Sequence, residues 1–455
     1  MGRAGPIRGR RLTSRRRDEA WRTDPAETQG PAPLPTAFRW AERRDRGAHA
    51  RVRGAVKRMT GFDLYPDETT ARRFGELLLA GDPVAEQFVA QTYHGELGPT
   101  RSRELLDRAL AVGVEHVPEA PASMRQLFAE FERIPDWVRP ELVERGAAVW
   151  RRWGYALGAM ANAATMDTYT EGSLAVPLSL SGGYAGERAL NRYLETSRWW
   201  IEVCRPGAAL TAGSLGRSIS LKVRVMHVSV RQRVAAHPEW DAQRWGLPIS
   251  QVEMLLTLVG GTVAPGVGLT ALGYLTSKSE IEAALHFNRY LGHLVGVRCD
   301  DIFPRTLGDG LRLLYLFDTA RSYDSGDCGR ELVESFVPAF APRPGERGFA
   351  RLRKLAHRNI MAGHAQLFML PWNRSRYRLP APWIGLAILF GRAPFVLAAE
   401  LSRRLHPAID RLWQRQSVRS WERWLRWQSP QQAQSAPQRE AGAPESFEAA
   451  HALRR

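Results

Sequence analysis

An all-α fold is what this 455-residue sequence predicts. Three observations carry the prediction. Apolar residues recur at helical spacing from about Asp67 to Gln428. No run alternates apolar and polar residues as a half-buried strand would. The pieces between the periodic runs are rich in turn residues, as in Cys204-Arg205-Pro206-Gly207 and Ala264-Pro265-Gly266-Val267-Gly268, which suits short connections between helices.

Taken in order, the elements begin after a basic arm. Residues 1–58 are rich in Arg, Pro and Gly without an apolar period, and this arm is expected to be disordered. The first helix follows Asp67-Glu68-Thr69-Thr70, an N-cap signal, and places Phe74, Leu77, Leu78 and Leu79 on its inner side. Further helices are predicted over Ser123–Arg133, Pro140–Ala164, Gly186–Cys204, Ser218–Ala236, Ser250–Val259, Ser277–Val297 and Gly308–Tyr323. The apolar stretch Trp383–Leu401 is interrupted by Arg392 and Pro394, which makes it marginal as a membrane span and better suited to a buried or interfacial hairpin. Leu401–Gln428 is a basic helix carrying Trp413, Trp421, Trp424 and Trp427. Its tryptophan side is expected to pack on the domain, because the polar face also holds Asp410 and Glu422; an anionic membrane surface is the other reading. The domain plan is therefore a disordered arm (1–58), a large helical domain (59–375), an apolar hairpin with a basic Trp-rich helix (376–428) and a disordered polar tail (429–455).

Charge excludes less than it first suggests. The net charge is +17, but through Arg58 sixteen basic residues stand against six acidic ones, so the arm alone carries more than half of it. Lysine is confined to Lys57, Lys222, Lys278 and Lys354, and no nucleic-acid-binding motif accompanies the arginines, so no nucleic acid partner is expected. Cys204, Cys299 and Cys328 are scattered without CxxC spacing, which argues against a disulfide framework and a structural zinc site. Arg15-Arg16-Arg17 resembles a twin-arginine start, but no apolar segment follows, and a cytoplasmic, peripherally membrane-associated protein is the expectation. There is no P-loop, GxGxxG, GxSxG or HExxH, and no internal repeat.

The chemistry-bearing pattern is centred on His227. Arg224 precedes it by three residues and Arg231 follows by four, so on a helix all three side chains share one face. An imidazole on an apolar helix suits an axial haem ligand, and two guanidiniums suit the haem propionates. A polar cluster satisfied within the core is the plainer reading of the same three residues. Arg192 and Thr196 lie one turn apart on another helix. His286, Arg289 and His293 share a face too, but a carboxylate-bridged di-iron site needs two Glu-x-x-His motifs that the sequence lacks. His357 and His364 are seven apart with no acidic residue between them.

Five segments in order resemble the oxygenase MpaB and latex-clearing-protein (rubber oxygenase) family: Pro135-Asp136-Trp137-Val138, Arg192-Tyr193-Leu194-Glu195-Thr196, Val223 to Arg231, Trp245 to Gln251 and Tyr290 to Val297. The resemblance covers roughly residues 120–300, with a looser echo to about 375. It implies a large helical domain with a globin-like haem-binding core and one haem b, with His227 as the iron ligand, Arg224 and Arg231 flanking it, and Arg192 and Thr196 near the haem. It also implies use of O2 to cleave carbon–carbon double bonds of an apolar, isoprenoid-like substrate. Glu195 stands where the rubber-cleaving branch can place a lysine as distal ligand, and nothing in the motifs chooses between Glu171 and Glu187 as a pocket base. The alternatives are a haem-binding sensor or carrier without turnover, and a membrane-surface interaction protein built on residues 383–427.

Overall fold

Among the described residues there is no strand, as the sequence pattern requires. The computed structural model describes residues 33–43, 46–181 and 187–428. Its helices are, in order, α1 (Trp40–Arg43), α2 (Gly47–Thr60), α3 (Glu68–Leu77), α4 (Pro83–Thr92), α5 (Gly98–Val112), α6 (Ala122–Glu132), α7 (Pro140–Trp153), α8 (Tyr155–Thr168), α9 (Gly172–Leu180) and α10 (Glu187–Val203). The second half contains α11 (Leu215–Ala235), α12 (Ala242–Trp245), α13 (Gln251–Gly268), α14 (Lys278–Leu294), α15 (Leu307–Ala320), α16 (Gly326–Phe336), α17 (Gly348–Phe368), α18 (Pro371–Arg374), α19 (Trp383–Ser402) and α20 (Pro407–Gln428).

Local chemistry sets most of the starts. Asp67 accepts a hydrogen bond from the Thr70 amide at 2.8 Å and opens α3. Ser250 with Glu253 and Ser277 with Glu280 form capping boxes at the heads of α13 and α14. The core is built around the α7–α14 pair, with α13 against α14 and α8, and α11 against α4 and α10. Large rings fill it: Trp150 stacks on Trp200 at 3.9 Å, and Trp153, Phe287 and Tyr290 are all buried.

Three boundaries differ from the sequence expectation, each for a physical reason. Folding starts well before residue 59, because α1 and α2 are helical and Trp40 is buried. No residue of α2 is buried. It is held instead by polar contacts to acidic residues elsewhere in the chain, His49 to Asp318 at 2.9 Å and Arg53 to Asp63 at 2.7 Å, which apolar periodicity cannot reveal. The predicted 140–164 helix is two helices, broken at Gly154, whose φ of +52° and ψ of −133° interrupt the helix between Trp153 and Tyr155. Conversely, the supposed turn at Ala264-Pro265-Gly266 is the end of a longer α13. Pro265 is itself buried and Gly266 lies against Ile281 of α14, so packing carries the helix past the proline. The expected tails at 1–32 and 429–455 lie outside the described residues.

Candidate functional site

His227 lies in the fourth turn of α11, a helix opened by Ser214, which accepts a hydrogen bond from the Arg217 amide. Its side chain is half-buried, and its Nδ1 is buried without a hydrogen-bond partner. Burial, then the positive charges of Arg231 and Arg192, push its pKa down to about 4. The imidazole is therefore neutral at pH 7 and keeps a lone pair, which is the state a metal ligand needs.

Arg224 and Arg231 both meet acidic residues of neighbouring segments. Arg224 donates to Asp82 from Nε at 2.6 Å and from Nη2 at 2.9 Å, and to Glu130 at 2.6 Å. Arg231 donates to Glu86 at 3.0 Å and to the carbonyls of Pro248 and Ile249 at 3.2 and 2.6 Å. Both guanidiniums are buried. Both are engaged with protein oxygens, while Arg224 Nη1 is buried without a hydrogen-bond partner.

Helical geometry explains the outcome. At about 100° per residue, positions three before and four after His227 are both displaced to the same side of it, by roughly 60° and 40°. That side faces α4 and α6, which supply Asp82, Glu86 and Glu130. Arg217, seven residues before Arg224, continues the stripe and pairs with Glu132 at 2.7 Å. The neighbouring edge of α11 faces α10, where Trp199 donates to Ser220 at 2.9 Å and Arg192 comes close enough to depress the His227 pKa.

Of the five residues predicted for the site, Arg231 on the same helix and Arg192 from the facing helix both come close enough to act on His227. Thr196 sits one turn beyond Arg192 on α10 with its side chain exposed. Glu195 beside it is half-buried. Glu171 is buried and saturated: it accepts from Thr170, from the Ser322 amide at 2.6 Å and from the Ser322 hydroxyl at 2.9 Å. The Glu187 side chain lies outside the described residues.

Sequence reasoning missed Glu253. It caps α13 through one oxygen, which accepts from the Ser250 amide at 2.9 Å, while Oε1 is buried without a hydrogen-bond partner. Burial pushes its carboxyl up to about 7, against the lowering effect of Ser250, Ser173 and the charge of Arg231. It lines a cavity of about 50 Å³ with Glu171, Ser173, Trp245 and Ser322. The Ser-x-x-Glu spacing of a capping box was the available signal, but it announces a helix start and nothing about protonation.

The other motif residues act as fasteners around α11. Gln251 donates to the carbonyls of Gly81 and Gly296 at 2.6 and 3.0 Å and accepts from the Arg298 amide at 2.6 Å. Arg289 lies over the Trp137 ring at 3.8 Å and pairs with Asp300, and His286 accepts from the Arg139 amide. No cluster of three or more metal-ligating side chains occurs among the described residues, so His227 would have to hold a metal as a single protein ligand.

Among the described residues the fold is all-helical, and His227 on α11 is one of three histidines, with His357 and His364, whose burial drives the pKa to about 4 or below and leaves the ring neutral at pH 7. A model of the family "ER-bound oxygenase mpaB/B'/Rubber oxygenase, catalytic domain" matches residues 147–400, and the chain belongs to that family. It is 25% identical over 207 residues to the rubber oxygenase of Streptomyces sp. (strain K30), a match covering 44% of this chain and 47% of that protein. The matched part thus spans about half the length of that relative. A solved structure of latex clearing protein in the closed state superposes with a TM-score of 0.54 at 19% identity, covering 76% of this chain and 90% of the other, which establishes a shared fold.

Proposed function

We propose that this protein is a haem b-dependent oxygenase that uses O2 to cleave a carbon–carbon double bond of an apolar, isoprenoid-like substrate. The observation that carries the reading is the neutral, half-buried His227, with an unpartnered ring nitrogen, on the central helix of a rubber-oxygenase-family fold. The residues fit the group on its ligand side, since the ring offers a nitrogen lone pair at pH 7. For its anionic edge the cations about the ring are Arg231 and Arg192, whose charges reach it, and Arg224, whose Nη1 is unpartnered.

Bound haem would supply the dioxygen chemistry, in which both oxygen atoms end in the two carbonyl groups made from one alkene. The chain's own part is to position and to exclude water. His227 would hold the iron from α11, and the Asp82–Arg224–Glu130 and Glu86–Arg231 pairs fix α11 against α4 and α6. Thr196, one turn beyond Arg192 on α10, would border the site. Glu253, with a pKa near neutrality, is the buried carboxyl able to hold or release a proton at Oε1 near physiological pH. Peripheral membrane contact through 383–427, from a cytoplasmic position, would give access to lipid-dissolved alkenes.

The test is spectroscopic first. Protein supplied with haem should show a Soret band that is lost in His227→Ala, while the far-ultraviolet circular dichroism stays helical. A colourless wild-type protein under the same supply overturns the reading. Haem uptake without oxygen consumption on lipid extracts and polyprenols would reduce it to a haem-binding module.

A further inference from the structure

We infer that α19 lies flat on a membrane surface rich in anionic lipid, with its outward apolar side immersed and its arginines at the headgroups. This sharpens the peripheral contact named above and depends on neither haem nor turnover.

The helix is apolar on the wrong side for a soluble protein. Its inner edge, Gly385, Leu389, Val396 and Glu400, is buried. Its outer side presents Trp383 at 73% exposure, Ile384 at 62% and Phe395 at 77%, with Phe390 and Leu401 also exposed. The surface continues past the helix end through Leu405 at 82%. Such contiguous exposed rings and aliphatics mark a surface awaiting an apolar partner.

Geometry decides between lying and spanning. At 20 residues α19 is about 30 Å long, enough to cross a bilayer core by length alone. It is nevertheless fastened along its inner edge. Gly385 lies so close to the backbone of Asn359 and Gly363 on α17 that a Cβ there would collide with the Asn359 carbonyl. At the other end Glu400, fully buried, pairs with Arg152 of α7 at 3.1 Å and Arg403 at 2.8 Å. Insertion across a bilayer would strip these contacts and carry a buried carboxylate into lipid. An in-plane helix keeps them and still buries the outer rings.

Charge selects the partner. Between Trp383 and Gln428 there are eight arginines and three carboxylates. All three carboxylates are committed: Glu400 as above, Asp410 to Arg403, and Glu422 to Arg205. Arg392, on the flank of the helix beside its buried edge, and Arg404 and Arg411 beyond the helix are exposed. A second copy of the chain docking on the same face would bring arginine fringe against arginine fringe with no uncommitted carboxylate among these described residues to answer it. Anionic headgroups complement the fringe, and tryptophan and phenylalanine suit the headgroup boundary.

The experiment is flotation of full-length protein, without added haem, on vesicles of phosphatidylcholine alone and of phosphatidylcholine mixed with phosphatidylglycerol. Wild type should bind the mixed vesicles at least tenfold better, with affinity falling as salt rises. The Trp383→Ser/Phe395→Ser double variant should lose at least tenfold of that binding, and Arg392→Gln/Arg404→Gln should lose the preference for anionic lipid. Both variants are checked by circular dichroism for retained helicity. Absence of binding to either vesicle overturns the inference, as does equal binding to both. A concentration-dependent dimer in sedimentation that the double variant abolishes, with no vesicle binding, would assign the face to a second copy instead. Because binding is read without haem, failure here leaves the oxygenase reading intact, and a colourless protein leaves this one intact.

Discussion

The surroundings of α11 and the outer side of α19 invert the usual rule in opposite ways. Around α11 the protein buries charge: Arg217, Arg224 and Arg231 lie in the core with carboxylates from α4 and α6. Along α19 it exposes apolar rings while burying a glutamate beneath them. The first inversion costs desolvation and returns rigidity, because each ion must keep its partner. The second costs solubility and returns a surface. A helix serving only as scaffold needs neither, so the two departures mark where the molecule does something beyond folding.

The comparison is broken most severely by removing one buried ion. Arg224→Ala would leave the buried Asp82 with only the more distant, half-exposed Arg298, which also pairs with Glu130, a loss of about 3–5 kcal/mol in unfolding free energy measured by urea titration. A loss below about 1 kcal/mol would mean that water reaches these groups and that α11 is less firmly fixed than the geometry implies. Haem uptake falling only in proportion to folded protein would make Arg224 a fastener of α11 alone; a folded variant that binds no haem would assign its unpartnered Nη1 to the propionates.

Protonation gives the next largest effect, and its sign differs between two residues of the same region. His227 has its pKa lowered from 6.5 to about 4, so the native state prefers the neutral ring. Its contribution is present above pH 6.5 and is lost as pH falls toward 4. Glu253 has its pKa raised from 4.5 to about 7, so the native state prefers the protonated acid, and its contribution is present below pH 4.5 and lost as pH rises toward 7. Each is worth on the order of 3 kcal/mol across its window. In the wild type the two slopes oppose each other between pH 4.5 and 6.5. Glu253→Gln should uncover the histidine slope, with stability falling on acidification, and His227→Phe should uncover the glutamate slope, with stability falling on alkalinisation. Identical pH profiles for both variants and wild type would sink the assignment of either pKa.

A smaller test concerns the joint between the two regions. Gly154 turns the chain from α7 into α8 with φ +52°, and a Cβ there would come within 3.0 Å of Ser417 on α20. Gly154→Ala should cost about 1–3 kcal/mol through backbone strain and that contact. An unchanged Tm would show that α20 yields freely, and would weaken the view that its inner side is firmly seated.

Much of this contrast was legible in the residues, and the remainder shows what periodicity cannot carry. Helical spacing and caps located α3, α6, α11 and α14 to within a few residues, because those signals are local. The Arg224-His227-Arg231 spacing correctly put three side chains near one another on a helix, but which neighbour each one meets depends on Asp82, Glu86 and Glu130, about a hundred residues or more away. The same blindness hid α2, which polar contacts hold in place of buried apolar residues, and Glu253, whose pKa follows from burial that a capping motif does not announce. For α19 the apolar run was plain, yet only the packing of Gly385 and Glu400 says which side faces out.

The gentlest perturbation is therefore the most discriminating one for that outer side. If the rings at Trp383 and Phe395 face water in the isolated protein, replacing both with serine removes little buried apolar area, and unfolding free energy should stay within about 0.5 kcal/mol of wild type. Solubility should rise, because an exposed apolar patch promotes self-association. A buried pair of that size would instead cost several kcal/mol on truncation. A large loss in the Trp383→Ser/Phe395→Ser protein would thus mean that the rings are already covered by another part of the chain. The contrast between a core that buries charge and a helix that exposes rings would then disappear.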